Sequence, residues 1–274
     1  MWAQKGDWPF YGWDYFAPNP PRATPIRYWL REAGDSVTLT LADAAGERVR
    51  TLTGPGDEGI NEVLWDWRHD RPYEPSDGGD RGGGGGGGGA AAGPVALPGT
   101  YTVTMDVGSQ ISTEQVTIEA DPRRPMTPAD RMARQDALMS LRELAAPLYE
   151  ARQAVERLAE QMDAAEALLE GHDGPVESLT EELETIQTEL EEILDGLDEA
   201  RRWTGVAGAI QQSSTLPTED QLWQVDAAWD AAAPLVERIN ALITLRVPAL
   251  NDALDAEGVR PHPGEALVVP RRGG

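Results

Sequence analysis

The 274-residue chain contains no cysteine, which excludes disulfides, thiolate metal sites and cysteine nucleophiles. Histidine is also scarce, with only His69, His172 and His262, and each lies in a different predicted loop or tail. A Ser-His-Asp site or a two-histidine metal site would need these residues to converge, which this layout does not favour. His69 next to Asp70 is the only pair that resembles a catalytic one. The sequence therefore predicts no catalytic residue, no metal site and no cofactor.

Long apolar runs are absent as well. No stretch of 18 apolar residues occurs, and no basic segment followed by an apolar run lies near Met1, so neither a membrane span nor a signal peptide is visible. We expect no membrane insertion. If Met1 is the true start, the expected location is the cytoplasm; as part of a longer exported protein, the chain is expected to be extracytoplasmic.

Positive charge is in short supply. The chain has 47 acidic and 23 basic residues, only one of them lysine, for a formal net charge of −24. Residues 128–258 alone hold 28 acidic residues and nine arginines. An acidic protein offers no counter-charge to nucleic acid or to anionic lipid, so neither is an expected partner. Acidic helices of this kind are usually solvated faces, and general acid catalysis would need a carboxyl group in a desolvating cleft.

Alternating apolar and polar residues organise the first half of the chain. Val37, Leu39 and Leu41 alternate with smaller or polar residues, and residues 43–46 supply a hairpin turn before a returning strand. A second turn at 54–59 precedes a third strand from Ile60 to Trp67. In the stretch Trp65-Asp66-Trp67-Arg68 the two rings are expected to cover both sheet faces, while the charged pair closes the strand end. Further strands begin at Ile26, Tyr101 and Glu114.

These strands predict an antiparallel β sandwich over residues 26–121. A Gly-rich insertion at 75–94, with eight consecutive glycines, is predicted to be disordered because glycine loses much backbone entropy on ordering. Asp77 and Asp80 within it offer too few oxygen ligands for calcium. No lysine and no helix start follow the glycines, which argues against a phosphate loop.

The second half predicts an antiparallel three-helix coiled-coil bundle over residues 127–257, so the fold class is α+β with two domains. Thr127, Pro128 and Asp130 form a helix start. Apolar residues then recur every three or four positions in three stripes, with a loop expected at 205–215 and bends at Pro234 and Pro248. The first stripe comprises Leu141, Ala145, Leu148, Ala151, Val155, Leu158, Met162, Ala165 and Leu169; the second, Val176, Leu179, Leu183, Ile186, Leu190, Ile193, Leu197 and Ala200; the third, Leu222, Val225, Trp229, Ala232, Val236, Ile239, Ile243, Val247, Leu250 and Leu254. Residues 258–274 are predicted to be a disordered tail.

Residues 1–25 form an aromatic and proline-rich segment without periodicity, which cannot build a core of its own. Aromatic groups at this density need a surface to cover. We interpret the segment as a linker that packs on the following sandwich or on an upstream domain; a carbohydrate-stacking platform is the alternative. The candidate interface aromatics are Trp2, Trp8, Trp13, Tyr15 and Phe16.

Several motifs in combination indicate a family resemblance. They are Asn19-Pro20-Pro21, Ile26-x-Tyr28-x-Leu30, VTLTLADAAGERVRTL, Asn61 followed by LWDWR, and Pro98-Gly99-Thr100-Tyr101. They resemble the Ig-like module of flagellar hook-capping proteins. Together with Asp121-Pro122-Arg123, the helices and the closing VPALNDALDAEGV, they are similar to the C-terminal region of exported bacterial proteins with a sortilin-like, BNR-repeat β-propeller, often described as glycosyl hydrolase-like.

The resemblance implies a non-catalytic accessory region that supports or docks an upstream propeller. The repeats that resemble glycosidases lie in the propeller, and no Ser-x-Asp-x-Gly-x-x-Trp repeat occurs in this chain, so the chain itself is not expected to be an enzyme; the activity of such a parent protein stays open. The expected partner is the propeller or another protein. The alternatives are a carbohydrate-binding accessory module and a stand-alone, partner-binding coiled coil.

Overall fold

A computed structural model of the chain describes residues 22–74, 93–108, 110–123, 126–172 and 174–259. The chain divides into two compact units, one formed by residues 1–71 and 92–125 and the other by 72–91 and 126–274. The described residues of the first contain antiparallel β-sheets and those of the second contain helices, which confirms a mixed α+β class. The predicted limits of the linker, the glycine insertion and the C-terminal tail fall mostly outside the described residues.

Two antiparallel sheets make up the described part of the first unit, which we call the β unit. A two-stranded sheet pairs β1 with β4, and a four-stranded sheet has the order β3-β2-β5-β6. The strands are β1 (Thr24–Leu30), β2 (Val37–Ala42), β3 (Arg48–Gly54), β4 (Gly59–Trp65), β5 (Gly99–Val107) and β6 (Gln110–Ile118).

The predicted turn at residues 43–46 joins β2 to β3. The Asp43 carboxylate accepts hydrogen bonds from the backbone N–H groups of Ala45 and Glu47, each at 2.9 Å. Gly46 has a φ of 84°, a conformation that glycine adopts without the steric cost of a Cβ. The hairpin thus follows from one capping carboxylate and one permissive glycine.

One hydrophobic cluster takes buried side chains from both sheets. Val37, Leu39 and Leu41 of β2 are almost fully buried in it, as alternation predicts, together with Leu30 of β1 and Trp65 of β4. The β unit therefore has a core of its own.

The predicted end of the third strand is wrong. β4 ends at Trp65, and Trp67 adopts a φ of 61°, so the chain turns out of the sheet. Both rings consequently contact the same cluster, and they do not cover opposite sheet faces. The Trp65 indole donates to the Arg68 carbonyl at 3.1 Å, and the Trp67 indole donates to the Thr24 hydroxyl at 2.7 Å. Each ring is thus fixed by a polar contact as well as by packing.

The second unit, which we call the helical unit, contains α1 (Pro128–Glu170), α2 (Glu177–Thr204), α3 (Val206–Gln212), α4 (Glu219–Ala241), a π-helical turn (Leu242–Arg246) and α5 (Val247–Ala256). α1 begins at the predicted cap: the Thr127 hydroxyl accepts from the Asp130 N–H at 3.1 Å, and the Asp130 carboxylate accepts from the Thr127 N–H at 3.4 Å. The unit also includes Tyr73, whose ring stacks on Tyr149 of α1 with centroids 4.2 Å apart.

The first two predicted stripes are confirmed. Every residue of the α1 stripe is buried, and so is every residue of the second stripe except Val176, which packs against the cluster from the turn before α2. These helices bury one face because apolar side chains at steps of three and four lie on one side of a 3.6-residue helix.

The third predicted stripe is wrong at three of its ten positions, and its other seven residues are buried in the helical cluster or packed against it. The buried positions are Val225, Ala228, Ala232, Leu235, Ile239, Leu242, Val247, Leu250 and Leu254, whereas Leu222, Trp229 and Ile243 are exposed. The small Ala228 takes the buried position that the pattern gave to Trp229. At Gly196 of α2 an added Cβ would come within 2.7 Å of the Leu235 side chain, so α2 and α4 pack closely at that level.

The π-helical turn explains how the buried positions of α4 and those of α5 remain on the same side of the helix. Buried positions step by three or four along α4 and α5, but by five between Leu242 and Val247. A π turn accommodates one extra residue, so it restores the phase. Pro234 lies inside α4, and Pro248 lies just after the π turn at the start of α5.

The predicted loop at 205–215 is wrong for its first part, because α3 occupies residues 206–212. Val206 and Ile210 are one turn apart and both are buried in the helical cluster. Burial of these two side chains stabilises a short helix where glycine and polar residues had indicated a loop.

Candidate functional site

The candidate interface aromatics Trp2, Trp8, Trp13, Tyr15 and Phe16 lie outside the described residues. The described chain starts at Arg22, two residues before β1. The aromatic segment is therefore joined directly to the two-stranded sheet, and the outer face of that sheet is the nearest surface that can be described.

The outer side of the two-stranded sheet carries six exposed side chains, which we call the ribbon face: Pro25, Arg27, Trp29, Ile60, Glu62 and Leu64. Trp29 and Ile60 are directly opposite each other across the strands. Their exposed fractions are 64% and 80%, and that of Leu64 is 44%. Exposed apolar side chains clustered in this way mark interaction surfaces more often than single exposed ones do.

The centre of the ribbon face is polar. Arg27 and Glu62 are a cross-strand pair, and the Arg27 Nε donates to a Glu62 carboxylate oxygen at 2.8 Å. This ion pair separates Trp29 and Ile60 at one end from Pro25 and Leu64 at the other. The face thus offers two apolar areas with a neutralised charge pair between them.

Both faces of β1 and β4 carry large apolar groups. The opposite side bears Ile26, Leu30, Val63 and Trp65, which pack in the core. A strand with one solvated face normally alternates with polar residues. The apolar outer residues of the ribbon are therefore not required by the core of the β unit.

The four-stranded sheet provides a contrast within the same unit. Its outer side bears a row of hydroxyls, one from each strand: Thr51, Thr40, Thr104 and Thr113 are paired in sequence across the sheet. Threonine suits an exposed strand position because it combines a β-branched side chain with a polar group. Ile111 is an exposed apolar residue on the same outer side, so the contrast lies in the clustering of several apolar side chains on the ribbon face.

The two residues of the candidate pair, His69 and Asp70, both form polar contacts with residues of β3. The Asp70 carboxylate accepts from the Thr51 N–H at 3.0 Å and lies 3.8 Å from the Arg48 guanidinium. The His69 carbonyl accepts from Arg50 at 3.2 Å. His172 ends α1, where its N–H donates to the Leu169 carbonyl at 3.1 Å, and His262 lies outside the described residues. The structure does not bring the described histidines together in one unit.

The acidic face of α2 holds a network that sequence reasoning missed. Arg246 donates to Glu182 and Glu189 at 2.7 Å each, and Arg238 donates to Glu192 at 2.8 Å and to Glu189 at 3.3 Å. Hydrogen bonding to Glu182 raises the pKa of Arg246 above its ordinary value. The hydrogen bond to Glu192 likewise raises the pKa of Arg238 above its ordinary value. Two arginines thus form hydrogen bonds with three carboxylates.

An open groove of about 670 Å³ runs beside this network, lined by carboxylates and threonines of α2 and by Arg238. Arg238 within it is already paired with Glu189 and Glu192, so the groove is best explained as the surface between two helices. A signal for the network was present in the sequence, because Arg238 and Arg246 are the only basic residues between Arg202 and Pro248.

A second aromatic area lies on the helical unit. The rings of Trp203 and Trp223 meet edge to face with centroids 5.1 Å apart, and the Trp229 indole donates to the Ser140 hydroxyl at 2.8 Å. Trp223 and Trp229 are exposed although the pattern predicts Trp229 to be buried. The ring contact with Trp203 orients Trp223, and the hydrogen bond to Ser140 orients Trp229.

Among the described residues, no group of three or more histidines or carboxylates is arranged to hold a metal ion. No helix in that part of the chain is long and apolar enough to cross a membrane. Asp77 and Asp80, considered above as calcium ligands, lie outside it. In comparisons with known proteins, no family model, no curated protein and no solved structure matched the chain.

Proposed function

We propose that this chain is a non-catalytic accessory region of an exported bacterial protein, in which it supports or docks an upstream β-propeller outside the cytoplasm. In this proposal the two sheets are an Ig-like sandwich and the long helices are an antiparallel three-helix coiled-coil bundle. The proposal begins from the motif resemblance described above. It is carried by one structural observation: an exposed apolar face on the strand that directly follows the aromatic N-terminal segment.

The placement of the ribbon face supports this role. β1 is the first described strand and begins at the Pro25–Leu64 end of the ribbon face, so whatever precedes residue 22 is joined to the fold at that end. Apolar surface that the unit's own core does not need is the kind of surface that a covalently attached neighbour covers. The ion pair between Arg27 and Glu62 supplies a polar element of the sort found within such interfaces.

The experiment starts with the reading frame upstream of the codon for Met1. If it continues into a propeller, the propeller should be prepared with and without residues 1–274. We expect the longer protein to unfold at a higher temperature and to keep the same catalytic or binding activity. An activity that resides in residues 1–274 alone would contradict the accessory role, and so would a propeller whose stability does not depend on this chain.

Carbohydrate binding is the second candidate, and Trp29 favours it. An exposed indole on a strand, with the Arg27 and Glu62 side chains beside it, combines a stacking plane with hydrogen-bonding groups. Titration of the chain with soluble polysaccharides should then change tryptophan fluorescence in the wild type but not in Trp29→Ala. The same titration of Trp223→Ala is the control, because Trp223 is an exposed indole of the other unit.

A stand-alone partner-binding helical protein is the remaining alternative. It is favoured by the exposed Trp223 and Trp229 on an acidic helical unit. Light scattering separates it from the accessory role: a mass that rises with protein concentration would indicate self-association through these helices.

A further inference from the structure

We propose that the ribbon face is the docking site of the aromatic segment 1–21 of the same chain. This inference deepens the proposed function by naming the occupant of the ribbon face, but it does not require an upstream domain. It concerns the isolated chain, so its failure can be told apart from failure of the accessory role.

The need for a cover comes from the ribbon itself. A two-stranded sheet is marginal in water unless its faces are packed, and only one face of β1–β4 is packed on the core. The other leaves Trp29, Ile60 and Leu64 largely exposed. Burying such side chains is favourable in proportion to the apolar area removed from water.

The composition of the segment matches that face. Residues 1–21 contain seven aromatic residues and four prolines but only three charged residues: Lys5, Asp7 and Asp14. Aromatic rings can pack on Ile60 and Leu64 and against the Trp29 ring, and they can stack on the Arg27 guanidinium between the two apolar areas. Prolines lower the entropy that an extended segment loses when it docks.

The geometry of the chain allows the contact. The seven residues of β1 span about 23 Å at 3.3 Å per residue. Twenty-one residues can extend to about 70 Å, so the segment can turn back at residues 22–23 and follow the whole ribbon. The covalent connection holds the segment near the face at an effective concentration in the millimolar range, which favours it over a second copy in dilute solution.

Site-specific photocrosslinking of the full chain tests the proposal. The photoreactive residue p-benzoylphenylalanine replaces Ile60 on the ribbon face in one variant. In the control it replaces Ile111, which is 72% exposed but lies on β6 of the other sheet. Both positions are exposed isoleucines on strands, so neither substitution disturbs the core. Irradiating a mixture of isotopically light and heavy chains distinguishes links within a chain from links between chains.

We expect the Ile60 variant to give links to peptides from residues 1–21 within one chain, in about tenfold higher yield than the Ile111 variant, because docking raises the local concentration of the segment at Ile60. Replacing Trp8 and Trp13 by alanine should lower the Ile60 yield toward that of the control. Mixed light–heavy links would instead identify a second copy as the occupant. Equal yields at the two positions, or no loss in the alanine variant, would also overturn the proposal.

Discussion

The two units of this protein manage apolar and charged surface in opposite ways. The helical unit sequesters apolar groups on one face of each long helix and carries most of the chain's negative charge on the other, where Arg238 and Arg246 are shared among carboxylates. The β unit has a buried core and a much smaller net negative charge, yet it leaves an apolar face exposed on its smaller sheet. The exposed apolar side chains of the β unit are mostly concentrated on one small sheet, whereas those of the helical unit are spread from Met132 of α1 to Leu245 of the π turn.

The largest expected effect comes from breaking the helical core. Ile186 of α2 is fully buried, and Ile186→Asp would place an unpaired carboxylate there, at a cost of about 4 kcal/mol or more. We expect loss of the helical circular dichroism signal at 222 nm, while the near-ultraviolet signal of Trp65 and Tyr101 persists because the β unit has a separate core. Leu245→Asp is the control, since Leu245 is exposed in the same unit. Simultaneous loss of both signals would show that the units do not fold separately.

The corresponding change in the β unit is Trp65→Ala. Trp65 is fully buried, meets Tyr101 edge to face at 5.3 Å and donates a hydrogen bond to Arg68. Its removal should lower the free energy of unfolding of this unit by about 3–5 kcal/mol in urea titrations. Trp29→Ala should cost less than about 1 kcal/mol, because its ring lies outside the core. Equal losses would mean that the ribbon face is as important to the fold as the core.

A smaller effect is expected from the shared arginines. Arg246→Gln removes the contacts with Glu182 and Glu189, and because all three side chains are partly exposed we expect a loss of about 1 kcal/mol or less, diminishing at high salt. Arg123→Gln should show no measurable change, since Arg123 pairs only with nearby Asp121 at the surface. A salt-independent loss for Arg246→Gln would point to packing rather than charge.

The smallest effect concerns alkaline pH and the β unit alone. Burial, with a further contribution from the Asp43 charge, raises the pKa of Tyr101 above its ordinary value. Above a pH of about 10, the unfolded state loses this phenolic proton before the folded state does. Stability should therefore be unaffected by this group below that pH and should fall as pH rises through it. Urea midpoints from pH 8 to 11 should fall less steeply for Tyr101→Phe, although that variant starts lower because it lacks the hydrogen bond to the Leu97 carbonyl.

Periodicity alone predicted much of this structure. The strands from Val37 to Leu52, the capped start of α1 and the first two stripes follow from local patterns, because each pattern has one dominant solution. The third stripe was predicted only in part, since Ala228 and Trp229 both fit an apolar pattern and only the packing of α4 in the folded unit shows that Ala228 is the buried one. The positive φ of Trp67 likewise depends on tertiary packing, which a local pattern does not reveal.

The candidate site was less accessible to sequence reasoning than the fold. Trp29 and Ile60 are 31 positions apart, and only the pairing of β1 with β4 places them opposite each other. The alternation in β1 predicted Ile26, Tyr28 and Leu30 as core residues. Trp29, which lies between them, was therefore not predicted to belong to an exposed apolar face. The shared arginines were missed for the same reason, because their carboxylate partners lie on another helix.

The π-helical turn at Leu242–Arg246 also sets where this protein can change in length. Removing one residue there would reduce the five-residue step between Leu242 and Val247 to four, which an α-helix accommodates with both side chains still inward. Removing one residue from α4 would instead rotate all preceding positions by about 100° and turn Ala228 and Leu235 away from α2. Insertions and deletions among related chains should therefore collect at this turn rather than along α4.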